Sequence, residues 1–320
     1  MKEYIVKRII LFIPTIILVA ALLFMLTRIL PGDAIDSLLN EDEASSFFSP
    51  DIRAKVEAEL GLDDPLPVQF GKWVWGAVRF DYGTSFWRKQ PNIDIVKTRF
   101  YRTIEVALLA AVVAIAWGIT SGVLQAVYQN TWIDAVLRFI TVGGIAIPNF
   151  MVAVMIFYFL ILFFDWIPPI EYKSLLEDPL SNIKQHIAPI LVLGHTAGAP
   201  ISRLTRSQFL EVYREDYIRT ARAKGLKEKV VVLRHALRNC ILPVITVVGL
   251  LIGDLLGGVV IVESVFNIPG MGQMTILAVN SRDYPLLQTL VWVITLMYMI
   301  SNLFVDVAYA WIDPRIRYKR

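Results

Sequence analysis

Six apolar stretches constrain this chain before any other feature does. A helix needs about 20 mostly apolar residues to cross ~30 Å of hydrocarbon, because lipid offers backbone N–H and C=O groups no partner. Such stretches run over about 9–29, 104–127, 137–164, 187–204, 241–262 and 286–311. The fourth is weak and is interrupted by Pro189, Gly194, Gly198 and Pro200. The expected fold is therefore all-α, a membrane protein with six transmembrane helices. Hydrophobic residues make up 56% of the 320 and charged residues 18%, against roughly 45–50% and 25% in soluble domains. That excludes a disordered chain, a secreted disulfide scaffold and an ordinary cytosolic enzyme. The first stretch follows Lys2, Lys7 and Arg8 as a signal peptide would. It is longer than a usual signal core and no A-x-A site follows, so it reads as a retained span.

Loop charge sets the orientation. Residues 203–238 hold ten Lys/Arg, and the tail adds Arg315, Arg317, Lys319 and Arg320. Six spans put both regions and the N-terminus on one side, which the positive-inside rule makes cytoplasmic. The acid-rich 31–100 region then lies outside. The net charge of +3 is thus a topology signal, and nucleic acid is not an expected partner. Within the outer region, 50–62 reads as a short helix. Phe70, Trp73, Val74 and Ala77 then fall at helical spacing, which suits a helix lying on the outer leaflet or on the chain's own spans.

No reaction chemistry is visible. The single Cys240 excludes a disulfide within the chain. His186, His195 and His235 show no metal spacing, and no GxxxxGK[ST] phosphate loop occurs. No catalytic residues, no metal ligands and no cofactor are expected. A secondary transporter would show matched inverted halves, and none is evident.

Residues 211–239 carry the most information. From Asp216 to Lys224 the pattern suits a helix, Gly225 punctuates it, and helix-like residues resume. The segment is either a solvated basic loop near anionic lipid or a docking helix, and the small Ala221 and Ala223 favour docking. The run EVYREDYIRTARAKGL, followed by RHALRN and LPV, resembles the cytoplasmic loop of permease subunits in the dipeptide/oligopeptide/nickel group of bacterial ABC importers. Of these it is most similar to the first-permease (B-type) subunit. LPGD at 30–33, LGLDDPLPVQF at 60–70, DYGTSF at 81–86, IPNF at 147–150, VVIVESVFNIPGMG at 259–272, RDYP at 282–285 and VDVAYAWIDPRIRY at 305–318 extend the resemblance over nearly the whole chain. The wider family's EAA-x3-G signature falls here on Arg219, Thr220, Ala221 and Gly225, with Arg for Glu and Thr for Ala.

The resemblance implies a type I ABC importer permease fold with both termini cytoplasmic, in a multi-pass plasma membrane location. The layout is a helix at 1–30, an extracytoplasmic region at 31–100, a five-helix core at 101–312 with a coupling loop at 205–238, and a tail at 313–320. It implies a coupling helix built from Glu215, Asp216, Tyr217, Ile218, Arg219, Thr220, Ala221, Arg222, Ala223, Lys224 and Gly225. The implied partners are a second homologous permease subunit, two ATP-binding subunits, an extracytoplasmic solute-binding protein and membrane lipid. ATP hydrolysis would belong to the separate subunits. Peptides are the cargo the resemblance favours, with nickel chelates or oligosaccharides as alternatives.

Other residues leave readings open. Gly249, Gly253 and Gly257, like Ala114, Gly118 and Gly122, recur every four residues, which suits close helix packing or a pathway lining. Asp254 sits mid-span, as a pathway residue or as a buried carboxylate bonded to a neighbouring helix. Glu105 and Asp306 also fall within spans. Pro269, Gly270 and Gly272 could form an outer gate or a connecting turn. Asp313 and Arg315 suit a local pair at the end of the last span.

Overall fold

The computed structural model describes residues 2–29, 64–167 and 172–312, and these are helical apart from turns and one bridge between Thr84 and Pro91. The helix expected at 50–62, the LPGD segment, the Asp313–Arg315 pair and the side chain of Asp306 lie outside the described residues. In chain order come α1 (Lys2–Ile29), α2 (Leu66–Val78), α3 (Asn92–Val127), α4 (Trp132–Ala146), α5 (Asn149–Phe164), α6 (Pro179–Val212), α7 (Asp216–Ala223), the single turn α8 (Glu228–Val230), a π-helical segment (Val231–Ala236), α9 (Leu237–Val265), α10 (Met271–Asn280) and α11 (Tyr284–Ile312).

Four of the described helices are long and apolar enough to span, over Val6–Thr27, Asn92–Val127, Glu228–Leu251 and Tyr284–Val305. The third expected span is a bent pair instead, because α4 and α5 meet at 111°. The cause is local. Pro148 lacks an N–H and forces Ile147 out of helical geometry, to φ −96° and ψ 125°. The fourth expected span also differs. Pro189 and Pro200 lie inside α6, a continuous 34-residue helix that does not qualify as a span on composition.

The chain divides into two compact units. One comprises Met1–Ile5, Thr103–Ile268 and Tyr298–Arg320, the other Val6–Arg102 and Pro269–Met297. In the first unit α6 is the hub, packing on α4, α5 and α9. Against α3 the approach is backbone to backbone. A Cβ added at Gly118 would fall 2.6 Å from the Ile201 Cβ, and one at Gly122 2.6 Å from the Ser202 carbonyl oxygen. From the other side, a Cβ at Gly194 would meet Val113 at 2.5 Å and one at Gly198 the Ala114 carbonyl at 2.8 Å. Helices in lipid gain little from hydrophobic sorting, so small residues that admit such contact carry the association.

Polar side chains close the lower part of this seam. Ser121 lies 2.8 Å from the Ser202 hydroxyl, and Gln125 Nε2 donates to Ser202 at 2.9 Å and to Thr141 of α4 at 3.1 Å. Below them Asp134 is fully buried and accepts from Arg206 Nη2 at 3.1 Å and Nε at 3.3 Å. At the other end of α6, Asp178 caps the helix by accepting from the Ser181 N–H at 3.1 Å and hydroxyl at 2.7 Å. These bonds hold its carboxyl below the ordinary range.

In the second unit α2 lies on its own spans. Phe70 and Trp73 meet Phe24 at ring distances of 5.6 and 6.3 Å, and Trp73 meets Trp292 edge-on at 5.5 Å. Two sequence motifs join here across 198 residues. Ser85 of DYGTSF donates its hydroxyl to Asp283 of RDYP. Asp283 also accepts from the Trp87 N–H at 3.4 Å and the Leu286 N–H at 3.2 Å. The turn between Asp81 and Asn92 depends on Gly83, whose φ of +69° favours a residue without a Cβ.

Two substitutions test these features. Gly118→Ala should cost about 1–3 kcal/mol through overpacking against Ile201, whereas Gly257→Ala, which meets nothing within 4 Å, should leave the melting temperature in detergent unchanged. Asp283→Ala strands the Ser85 hydroxyl and two N–H groups and should cost about 1.5–3 kcal/mol per charged hydrogen bond lost, read by the same melt.

Candidate coupling and pathway sites

The helix α7 occupies Asp216–Ala223 and is preceded by Glu215, whose backbone is extended at φ −67° and ψ 149°. Gly225 then turns the chain in the left-handed region at φ +75°, as a helix stop commonly requires. The eight-residue helix has two unlike sides. Ile218 and Ala221 are buried in one apolar cluster with Ala126 of α3, Phe209 of α6, Val231 and Ala236 of the π segment, and Cys240 of α9. Asp216, Tyr217, Arg219, Thr220, Ala223 and Lys224 are exposed. The two alanines therefore have different roles. Ala221 turns inward onto the protein itself, and Ala223 faces outward.

The loop after α7 is tied back firmly. Arg222 grips the Glu228 carboxylate with Nη2 at 2.8 Å and Nε at 3.2 Å, and its guanidinium lies 4.3 Å over the Tyr213 ring. The Tyr213 hydroxyl donates to the same carboxylate. Burial, with Glu228 beside it, raises Tyr213 above the ordinary range, which keeps the proton available for that bond. Asn239 Nδ2 donates to the Tyr217 hydroxyl at 2.8 Å. The π segment that follows leads directly into α9.

Asp254 is exposed on α9, and its carboxylate has no hydrogen-bond or ion-pair partner among the described residues. Within this chain the carboxylate is therefore neither buried nor bonded to a neighbouring helix. Gly253 beside it faces Asn302 and Tyr298 of α11, and Gly249 faces Val305, so these two glycines serve helix packing. Gly257 meets nothing within 4 Å.

The segment from Asn267 to Gly272 is folded tightly. The Pro269 carbonyl accepts from Arg102 Nη1 at 3.1 Å and the Gly270 carbonyl from Arg99 Nη1 at 3.3 Å. Gly272 is buried in the first turn of α10. The left-handed residue here is Asn267, at φ 53°, rather than a glycine.

Sequence reasoning missed two buried carboxylate sites. Glu263 is fully buried and accepts from Thr103 Oγ1 at 2.6 Å. Glu105 was noted in a span, but its partners were not. It accepts from the Tyr172 hydroxyl and from Asn182 Nδ2 at 2.8 Å. Only the acids themselves gave a signal, since their partners are distant in the chain. Among the described residues no group of His, Cys, Asp or Glu could hold a metal ion.

Comparison with known proteins agrees with this architecture. The chain is 38% identical over 319 residues to the glutathione transport system permease protein GsiC of Salmonella choleraesuis (strain SC-B67), with 100% of both chains covered. It is equally similar to the GsiC protein of Escherichia coli (strain K12), at 38% over 319 residues. Among solved structures, the inward-facing MetNI methionine ABC transporter matches with a TM-score of 0.56 at 15% identity, covering 68% of this chain and 96% of that one. An amino acid ABC transporter with histidines matches at 0.51 and 13%, covering 69% and 94%. These two show the fold. Residues 1–107 match the N-terminal family of binding-protein-dependent transport system membrane components. Residues 114–318 match the family described as binding-protein-dependent transport system inner membrane component, and to that family of multi-pass inner-membrane permeases this chain belongs.

Proposed function

We propose that this permease forms half of the translocation pathway of an ATP-driven peptide importer. A second homologous permease subunit supplies the other half. Two ATP-binding subunits dock on the face that carries α7, and a solute-binding protein delivers cargo to the opposite face. The observation that carries the proposal is the two-sided packing of α7. Its inner residues Ile218 and Ala221 are seated on the bases of α3, α6 and α9, and its outer residues are left for a partner. Closure of the ATPase pair pushes α7, and a close-packed cluster passes the displacement on rather than absorbing it. Peptide cargo is supported by the full-length similarity to glutathione permeases.

Within this reading Asp254 faces the pathway, because an unpaired carboxylate within a span is tolerated at a water-filled cavity and not against lipid. It attracts the ammonium end of a peptide.

Two measurements test the proposal in the reconstituted importer. Arg219→Glu on the exposed side of α7 should lower transport at least tenfold while the melting temperature of the chain is kept. Retention of full ATP-driven uptake would remove α7 from the coupling role. Asp254→Asn should depress uptake of cationic peptides more than that of neutral ones, and an unchanged ratio would dismiss the pathway role.

A further inference from the structure

A cavity of about 650 Å³ opens in the first unit between α3, α4 and α6. Its wall has two chemical halves. Arg138, Arg203, Arg206 and Arg214 line it together with a single acid, Glu211. Val142, Ile145 and Ala146, further along α4, form an apolar side, and Gln125, Thr141, Ser207 and Leu210 complete the lining. Two of the arginines are already engaged, since Arg206 and Arg138 pair with the buried Asp134 at 3.1 and 3.5 Å. The guanidiniums of Arg203 and Arg214 have no hydrogen-bond or ion-pair partner among the described residues. The site therefore presents uncompensated positive charge beside an apolar wall.

Its depth in the membrane is marked by neighbouring aromatics. Tyr128 and Trp132, at the turn between α3 and α4, are 45% and 76% exposed, as residues at the headgroup level are. Arg138 lies less than two turns beyond Trp132 along α4. The apolar half of the cavity continues onto an open stripe of α4, where Val136, Phe139 and Val142 are 47%, 81% and 54% exposed. A soluble anion would need only the arginines. The adjoining apolar stripe fits a ligand that is anionic at one end and hydrocarbon at the other.

We propose that this cavity is a specific site for an acidic phospholipid of the leaflet nearest α7. The head group sits among Arg203, Arg206 and Arg214, and an acyl chain lies along Val142 and Ile145. Basic pockets between spanning helices on the cytoplasmic side are suited to such head groups. Arg203 lies on α6 and Arg214 in the turn between α6 and α7, so the lipid braces the segment that supports the proposed coupling site. The orientation rests on the loop-charge reading, whereas the chemistry of the cavity does not.

Native mass spectrometry of the full chain in mild detergent tests the proposal, with dioleoylphosphatidylglycerol and dioleoylphosphatidylcholine added in turn. The expected result is a retained phosphatidylglycerol adduct that phosphatidylcholine does not replace. Arg203→Gln and Arg214→Gln should each weaken it roughly fivefold, the effect of about 1 kcal/mol per basic residue, and Arg203→Lys should keep most of it. Ala146→Phe, which fills the apolar half without changing charge, should also lose the adduct, with a retained melting temperature showing that the chain is folded. Equal retention of the two lipids would overturn the proposal, as would an adduct indifferent to Arg203 and Arg214. Stabilisation by inorganic phosphate or by glutathione, with no phosphatidylglycerol adduct, would assign the arginines to a soluble anion and overturn it as well. None of these results would bear on α7, so this proposal can fail without the coupling role failing.

Discussion

The first unit depends on two helices meeting backbone to backbone. Along α3 and α6 the glycines at 118, 122, 194 and 198 leave no space for a Cβ, and this proximity brings short polar side chains within reach of one another. Ser121, Gln125, Thr141 and Ser202 can form a buried network only because no larger side chain separates the axes. In lipid such contacts replace the hydrophobic driving force that holds soluble cores together. The buried Asp134 with Arg206 lies at the end of the same seam and joins α4 to α6. A buried pair of this kind adds little net stability, because desolvating the two charges offsets much of their attraction.

The short helix α7 gains its stiffness from this base. Eight residues form too short a helix to be stable alone, so α7 holds its shape through tertiary contacts. Its apolar side is inserted into a cluster drawn from three long helices. Its trailing loop is held by the contacts among Arg222, Glu228 and Tyr213. A π segment, Val231–Ala236, joins this region to α9, and such segments occur often at functional positions.

The second unit uses another device. An aromatic cluster of Phe24, Trp73 and Trp292 joins α2 to the spans. Its loops are joined by charged hydrogen bonds through Asp283 and through the carbonyls of Pro269 and Gly270. A loop fixed by main-chain carbonyls accepting from arginines tolerates sequence change at its own side chains, because the acceptors belong to the backbone.

What the sequence determined by itself follows from the bilayer. Hydropathy and charge act residue by residue against a planar solvent, so the apolar runs, the basic segment after α6 and the bounds of α7 ending before Gly225 could all be read along the chain. The stripe Ala114, Gly118, Gly122 was readable for the same reason, since a period of four places its members on one helix face. The tertiary structure decided which faces meet. Gly194 and Gly198, which look like breaks in a weak span, are the other half of the α3–α6 seam. A glycine that weakens a helix in isolation strengthens a contact only when a second helix lies against it. Ala221 and Ala223 looked alike until the position of α7 turned one inward. Ser85 and Asp283, the partners of Glu105 and Glu263, and the arginine cavity likewise depend on residues far apart in the chain, and a one-dimensional pattern carries no record of which distant side chains will share a volume.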